Sequence, residues 1–296
     1  MVNKVQTTSC RFLKWAPAAA NVVAFSPDGN QLAVLRESRQ IEIWLPKHGW
    51  SFSHSLPCPI GTKVISMTFV RRTTGHPLLV VGTLAGTLHT YDPNTNLRPS
   101  TPSSSFGGAV FCIAPHPRHP SSFLAGCEDG CIRIFDIPED NILLSTSLEP
   151  YYRRAFPRIS SYVVSMAVLP QSDTILFGDA HGGLRSMHLP SSHPNLLCAS
   201  SNTPHPIRAT LILPDGTFIA GDHHGVVSIY SMEGCIASFD TIFDGPVVGL
   251  ARSEDRIVVA GLDGKIGFIE KTNDTWILLS VDKVHLHDGL SLATSS

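Results

Sequence analysis

Along this chain short apolar runs alternate with polar turns, and the alternation recurs as a unit. Each unit is an apolar strand, a turn often containing Pro, Asp or Gly, a second apolar strand ending in small residues, a tight polar turn, and a third strand. The first copy uses residues 22–25, 31–35 and 41–44, with turns at 26–29 and 37–40. The second uses 64–70, 78–82 and 88–92, and the third 110–115, 123–127 and 132–136. The fourth uses 163–169, 174–178 and 184–189, the fifth 207–213, 217–221 and 226–230, and the sixth 247–251, 257–261 and 265–269. Third strands end near a bulky residue, Trp44, Tyr91, Phe135, Met187, Tyr230 or Phe268, at spacings of 47, 44, 52, 43 and 38. A period in the forties fits a four-stranded propeller blade whose last strand lies in the linker. Alternating linker strands are expected at 51–56, 142–148 and 276–281.

A single small antiparallel sheet is marginal in water, whereas radial stacking buries both faces and leaves only short edges. Glycines in the tight turns supply the positive φ that hairpins demand, and Asp129 and Asp263 can bond their own turn backbone. The expected fold is all-β, a WD-repeat β-propeller of six complete four-stranded blades plus a partial seventh, in one domain over 1–296. Blades are expected at about 22–56, 64–98, 110–148, 163–199, 207–241 and 247–282. A partial blade would join 289–294 to an N-terminal strand at 10–15, with its two middle strands absent and its sector open or poorly filled.

Composition narrows the function classes. The chain is 43% hydrophobic and 16% charged, which fits a globular protein and not a disordered one. Its net charge of −2 rules out nucleic-acid binding over the whole surface and confines any such contact to a local patch. Apolar runs fall short of the roughly 20 residues that span a bilayer, and residues 1–8 lack the apolar core of a signal peptide. The sequence therefore reads as soluble and intracellular, with no membrane partner. Seven scattered cysteines without a C-x-x-C pair fit neither a disulfide framework nor a zinc site. A two-residue turn at Asp129 and Gly130 would set Cys127 opposite Ile132 and Glu128 opposite Cys131, sending the two thiols to opposite faces.

Groups that resemble metal ligands are Asp222 with His223 and His224, Asp179 with His181, and His285 and His287 with Asp288. The first two fall on tight turns where polar residues are expected, and no third and fourth ligand is spaced to join them. The last group fits a histidine that precedes a first strand and bonds inside its blade. No G-x-S-x-G elbow, phosphate-binding Gly-rich loop or cysteine signature is present. The inner strands start on apolar Val22, Val64, Val110 and Val163, which gives a propeller hydrolase no acidic channel. The sequence thus points to no catalytic residues, no metal, no cofactor and no small-molecule substrate.

The cluster that stands out is Tyr151, Tyr152, Arg153, Arg154 and Arg158, five cationic or tyrosine side chains within eight residues. It suits stacking of bases and neutralisation of phosphates. It equally suits a solvated interblade loop whose arginine stems cover apolar surface.

The segment 11–17 and the repeat with 32–36 and 41–44 resemble the cirhin family. So do Phe106, Gly107 and Gly108 before the third unit, followed by 126–130 and 132–135. The similarity extends through the fifth and sixth repeats to His287 and Asp288, and covers the family's first propeller only. The family is the WD-repeat subunit of the UtpA subcomplex in the small-subunit processome. The resemblance implies a nucleolar scaffold that binds ribosomal RNA precursor and other UtpA proteins, with no residue-level site to carry over. The competing expectation is a generic WD-repeat adaptor such as a ubiquitin-ligase substrate receptor.

Overall fold

The computed structural model describes residues 19–73, 75–94, 101–138, 148–170, 172–189, 193–198, 205–240 and 242–283. They form six separate four-stranded antiparallel sheets, each with its strands in simple meander order. The first contains β1 (Ala20–Phe25), β2 (Leu32–Arg36), β3 (Gln40–Leu45) and β4 (Ser51–Pro57). The second contains β5 (Val64–Val70), β6 (Leu78–Thr83), β7 (Thr87–Tyr91) and β8 (Ser103–Ser104). The third contains β9 (Val110–Pro115), β10 (Ser122–Cys127), β11 (Ile132–Asp136) and β12 (Tyr151–Ala155). The fourth has β13 (Val163–Val168), β14 (Thr174–Asp179), β15 (Leu184–His188) and β16 (Pro194–Cys198). The fifth has β17 (Ile207–Ile212), β18 (Phe218–Asp222), β19 (Val227–Ser231) and β20 (Gly234–Phe239). The sixth has β21 (Val247–Ser253), β22 (Arg256–Gly261), β23 (Lys265–Thr272) and β24 (Thr275–Lys283).

These sheets are the blades of a WD-repeat β-propeller. The repeat units read from the sequence become the three inner strands of each blade, and β4 and β24 occupy the linker positions expected for fourth strands. Blade three departs from expectation. Its fourth strand is β12, not 142–148. Residues 142–147 lie outside the described residues, as do the expected strands at 10–15 and 289–294 that would build the partial seventh blade.

Apolar side chains bind each blade to the next. Ala33, Leu35, Ile41 and Ile43 of blade one meet Val64, Phe69, Leu79 and Val81 of blade two. Further clusters join blade two to three, three to four, four to five and five to six. Complete burial of one such leucine or phenylalanine contributes about 1.5–3 kcal/mol. The inner strands pack in sequence, β1 on β5, β5 on β9, β9 on β13, β13 on β17 and β17 on β21. Among the described residues, β21 and β1 share no packing of that extent.

Close approach explains the small residues that end the second strands. A Cβ on Gly126 would lie 2.7 Å from Val163 Cγ1 of the next blade and 2.5 Å from Cys112 Sγ. Polar bonds add to the same seams. Ser66 Oγ donates to the Val110 carbonyl at 2.7 Å, and Ser165 Oγ to the Ile207 carbonyl at 2.7 Å. These bonds need no water inside the interface, so the buried hydroxyls remain satisfied.

A second regularity concerns the inner strands themselves. Each slips register near its start, at Ala20/Val22, Val64/Ser66, Val163/Ser165, Ile207/Ala209 and Val247/Gly249, and opposite Gly126/Cys127 in blade three. A bulge of this kind re-aims one side chain out of the alternation. The residues so displaced, Asn21, Ile65, Phe111, Val164, Arg208 and Val248, all line one central channel. This corrects the expectation drawn from strand starts in part, since Val22 and Val64 do line the channel but Val110 and Val163 do not. Val110 and Val163 are fully buried, packed on the glycines of the preceding blade, and the residues after them face the channel.

Candidate functional site

The tight turns show what their polar residues do. In blade three the Cys127 N–H donates to the Cys131 carbonyl at 3.1 Å, so the loop holds three residues, Glu128 to Gly130, instead of two. Cys127 therefore sits opposite Cys131, not Ile132, because Gly126 pairs with Ile132. Both thiols are free. Burial raises the Cys127 thiol to about 11 and pushes Cys131 upward as well, so neither offers a thiolate near neutrality. Asp129 Oδ1 accepts the Cys131 N–H at 3.1 Å, and its two oxygens hold Arg133 at 2.9 and 2.6 Å. Burial works against the Asp129 carboxylate. The Arg133 and backbone bonds outweigh it and keep the carboxyl below its ordinary value.

The residues resembling metal ligands serve the same turns. Asp179 accepts N–H groups from His181 at 2.9 Å and Gly183 at 2.8 Å and pairs with Arg185. Asp222 accepts those of His224 and Val226, both at 2.9 Å. The His224 ring rests against His205, centroids 3.7 Å apart, with His223 at 6.0 Å. His285, His287 and Asp288 lie outside the described residues.

The tyrosine–arginine cluster is not a loop. Residues 151–155 are the outer strand β12, and a register slip opposite Ile134/Phe135 turns Arg153 out of line. The strand separates the five candidates. Arg153 Nε bonds Asp136 Oδ2 at 2.6 Å, while Ser122 Oγ bonds Asp136 Oδ1 at 2.5 Å. Tyr151 and Arg153 together flank a cavity of about 510 Å³ with His119 and Thr73. Tyr152 leans the other way, its ring edge-on to Phe106 at 5.6 Å and to Phe135 at 6.0 Å. Arg154 reaches toward blade four, bonding the Leu189 carbonyl at 3.1 Å with its guanidinium 4.7 Å over Phe156. Arg158 follows Pro157 and is exposed. Tyr151 and Tyr152 remain half exposed. The outer edge of blade three thus presents two tyrosines and the Arg154 and Arg158 charges, while Arg153 is partly neutralised by Asp136.

The channel is the larger concavity, about 640 Å³. Reading strands by alternation named Val22 and Val64 of its lining but missed Asn21, Ile65, Phe111, Val164, Arg208 and Val248, which the bulges bring inward. The recurrence of a non-alternating second residue in each inner strand was the available signal. At its mouth stand Leu84 and Tyr162, both exposed, and Tyr162 stacks on Phe111 with centroids 6.0 Å apart and planes 19° from parallel. Lys63 and Arg208 add positive charge from blades two and five.

Comparisons with known proteins agree with this geometry. The family described as WD domain, G-beta repeat matches residues 100–136, the stretch from β8 through β11 that carries the Asp129–Arg133 turn. The chain is 23% identical over 304 aligned positions to U3 small nucleolar RNA-associated protein 4 of Schizosaccharomyces pombe (strain 972 / ATCC 24843), covering 96% of this chain and 41% of that protein. It is 24% identical to the human and mouse proteins named U3 small nucleolar RNA-associated protein 4 homolog, again over 96% of this chain and 42% of each relative. No helix among the described residues is long and apolar enough to cross a membrane. The chain is a WD-repeat propeller similar along nearly its whole length to these proteins, and it spans about two fifths of the curated relatives it matches.

Proposed function

We propose that this chain is a non-catalytic scaffold of small-subunit ribosome biogenesis, working in the nucleolus on ribosomal RNA precursor with proteins of the UtpA assembly. The observation that carries this reading is the similarity, spread over 96% of the chain, to proteins named for association with U3 small nucleolar RNA. A propeller suits the role, because rigid blades present several faces and loops at once. The outer edge of blade three, with Tyr151, Tyr152, Arg153, Arg154 and Arg158, is the proposed RNA or partner contact. Exposed tyrosines beside cations offer stacking and phosphate neutralisation together.

The test is affinity purification of the tagged chain after crosslinking, with sequencing of bound RNA and mass spectrometry of bound proteins. Precursor ribosomal RNA and UtpA proteins should be enriched over an unrelated propeller. Recovery of ubiquitin-ligase subunits without RNA would replace the proposal with the adaptor reading.

A further inference from the structure

We infer that Thr101 is a phosphorylation site for a proline-directed protein kinase, and that the phosphate weakens RNA binding at the neighbouring outer edge of blade three. The first half rests on sequence and exposure, and the second rests also on the RNA contact proposed above. Three Ser/Thr-Pro dipeptides occur in the chain, at Ser26, Thr101 and Thr203. Ser26 is buried and its Oγ donates to Asp28 Oδ1 at 2.6 Å, which withdraws it from a kinase. Thr203 lies outside the described residues. Thr101 and Pro102 are both exposed, on the segment that leads into β8 at the rim of blade two. A proline after the acceptor holds it extended and offers no N–H, the two features by which such kinases select their site. The hydroxyls that follow are committed. Ser103 Oγ donates to the Pro150 carbonyl at 2.6 Å, Ser104 Oγ accepts the Phe106 N–H at 3.1 Å, and Ser105 Oγ donates to the Gly108 carbonyl at 2.7 Å.

The Ser103 bond also places the site. It ties the segment to Pro150, the residue before β12, and further along the same segment Phe106 meets Tyr152 edge-on at 5.6 Å. Thr101 is two residues from Ser103, and a chain reaches at most about 3.6 Å per residue, so its hydroxyl stands within about 15 Å of Tyr151. Phosphorylation moves the γ-phosphoryl group of a nucleoside triphosphate to Thr101 Oγ1. The new Oγ1–P bond replaces the bridging P–O bond, the nucleoside diphosphate leaves, and the hydroxyl proton passes to the kinase's catalytic base. Phosphothreonine carries about −1.5 to −2 charges near neutral pH, on a chain whose net charge is only −2. Two effects then act in one direction. The phosphate repels the phosphates of RNA, and it competes for the β12 cations that RNA would use. An effect exerted through solvent is screened by salt, with a Debye length of about 30 Å at 10 mM and about 8 Å at 150 mM.

The experiment incubates the full chain with ATP and a purified cyclin-dependent or mitogen-activated protein kinase. Tandem mass spectrometry then maps the phosphate, and filter binding measures a labelled oligouridylate across a salt series. Thr101→Ala removes the acceptor, and Pro102→Ala keeps the hydroxyl but removes what the kinase selects, both checked for an unchanged melting curve. Phosphate should appear on Thr101, vanish in Thr101→Ala and fall about tenfold or more in Pro102→Ala. The phosphorylated chain should bind oligouridylate about threefold or more weakly at about 50 mM salt, with the difference shrinking at about 200 mM. Kinase treatment of Thr101→Ala should leave its affinity unchanged. No phosphate on Thr101, or equal incorporation in Pro102→Ala, would overturn the site. Phosphate on Thr101 with unchanged affinity would overturn the regulation. Oligouridylate binding that is absent, or unaltered by Arg153→Ala with Arg154→Ala, would instead overturn the RNA contact at blade three and the regulation with it, and the phosphate map alone then decides the site.

Discussion

His116 illustrates how a single side chain can be built to stay neutral. Its Nδ1 accepts the backbone N–H groups of Arg118 at 3.2 Å and His119 at 3.1 Å, which a protonated ring could not do. Burial first, then the His119 ring and the Arg153 charge, lower it from 6.5 to about 4. A base depressed in the folded state favours the unfolded chain once that chain begins to bind the proton. His116 therefore contributes stability that is whole above pH 6.5 and is lost as the pH falls toward 4. Replacing it with Asn keeps an acceptor for the same turn and removes the titration. His116→Asn should flatten the decline in urea midpoint between pH 6.5 and 4, and an unchanged slope would show that other groups cause it. Gly126 makes the packing case. Gly126→Ala forces a methyl against Val163 and should cost about 1–3 kcal/mol in urea denaturation. Combining it with Val163→Ala should cost less than the two single changes summed, since the cavity made by one accepts the methyl of the other. Turn chemistry at this scale was legible because it is short-range. Asp129 and Asp263 do bond their own turns, through the Cys131 and Lys265 N–H groups. The register of Cys127 was not, because a two-residue and a three-residue loop share the same Asp and Gly.

Among the elements, those with one buried face could be read directly. β4 and β24 alternate enough to be seen as strands, and the inner three strands of every blade announce themselves by apolar content. β12 does not, because all five of its residues are exposed and hydrophobic periodicity has nothing to report. The apolar stretch at 142–148 was the more strand-like sequence, but backbone pairing with β11 goes to residues 151–155. Pairing also changes what the cluster can offer. With Arg153 on Asp136 and Arg154 on a carbonyl, the free cationic surface is smaller than a loop of three arginines would give. For RNA binding, Arg153→Ala with Arg154→Ala should weaken affinity and lower the slope of log affinity against log salt by about 1 to 2. Equal affinity and slope in both proteins, measured by filter binding across a salt series, would take this edge out of the RNA contact. Stability should fall by about 1 kcal/mol or more, since Asp136 is buried and would lose its cation, so affinities are compared under conditions where both proteins remain folded.

The six blades were countable in advance because each is a local repeat, whereas closure depends on contacts between the two ends of the chain. Blades that touch only their neighbours behave as a one-dimensional series, in which stability comes from each interface in turn. Blades three and four have apolar clusters on both sides, through Val110 and Phe135 on one and Ile207 and Phe218 on the other. Blades one and six have such a cluster on one side among the described residues, facing blades two and five. Local opening free energy follows the number of buried interfaces a strand must break. Hydrogen exchange followed by mass spectrometry should therefore rank the second strands of the blades. Peptides covering β10 and β14 should exchange slowest, and those covering β2 and β22 at least about tenfold faster under native conditions. The comparison is internal, because β2, β10, β14 and β22 are all central strands paired on both edges within their own sheets. Differences in protection then report what lies on the sheet faces rather than at the edges. Matching protection in β2 and β22 and in β10 and β14 would mean that blades one and six are clamped as firmly as the middle of the ring. The expected seventh sector would then be filled, and the channel with Lys63 and Arg208 at its mouth would belong to a fully closed propeller.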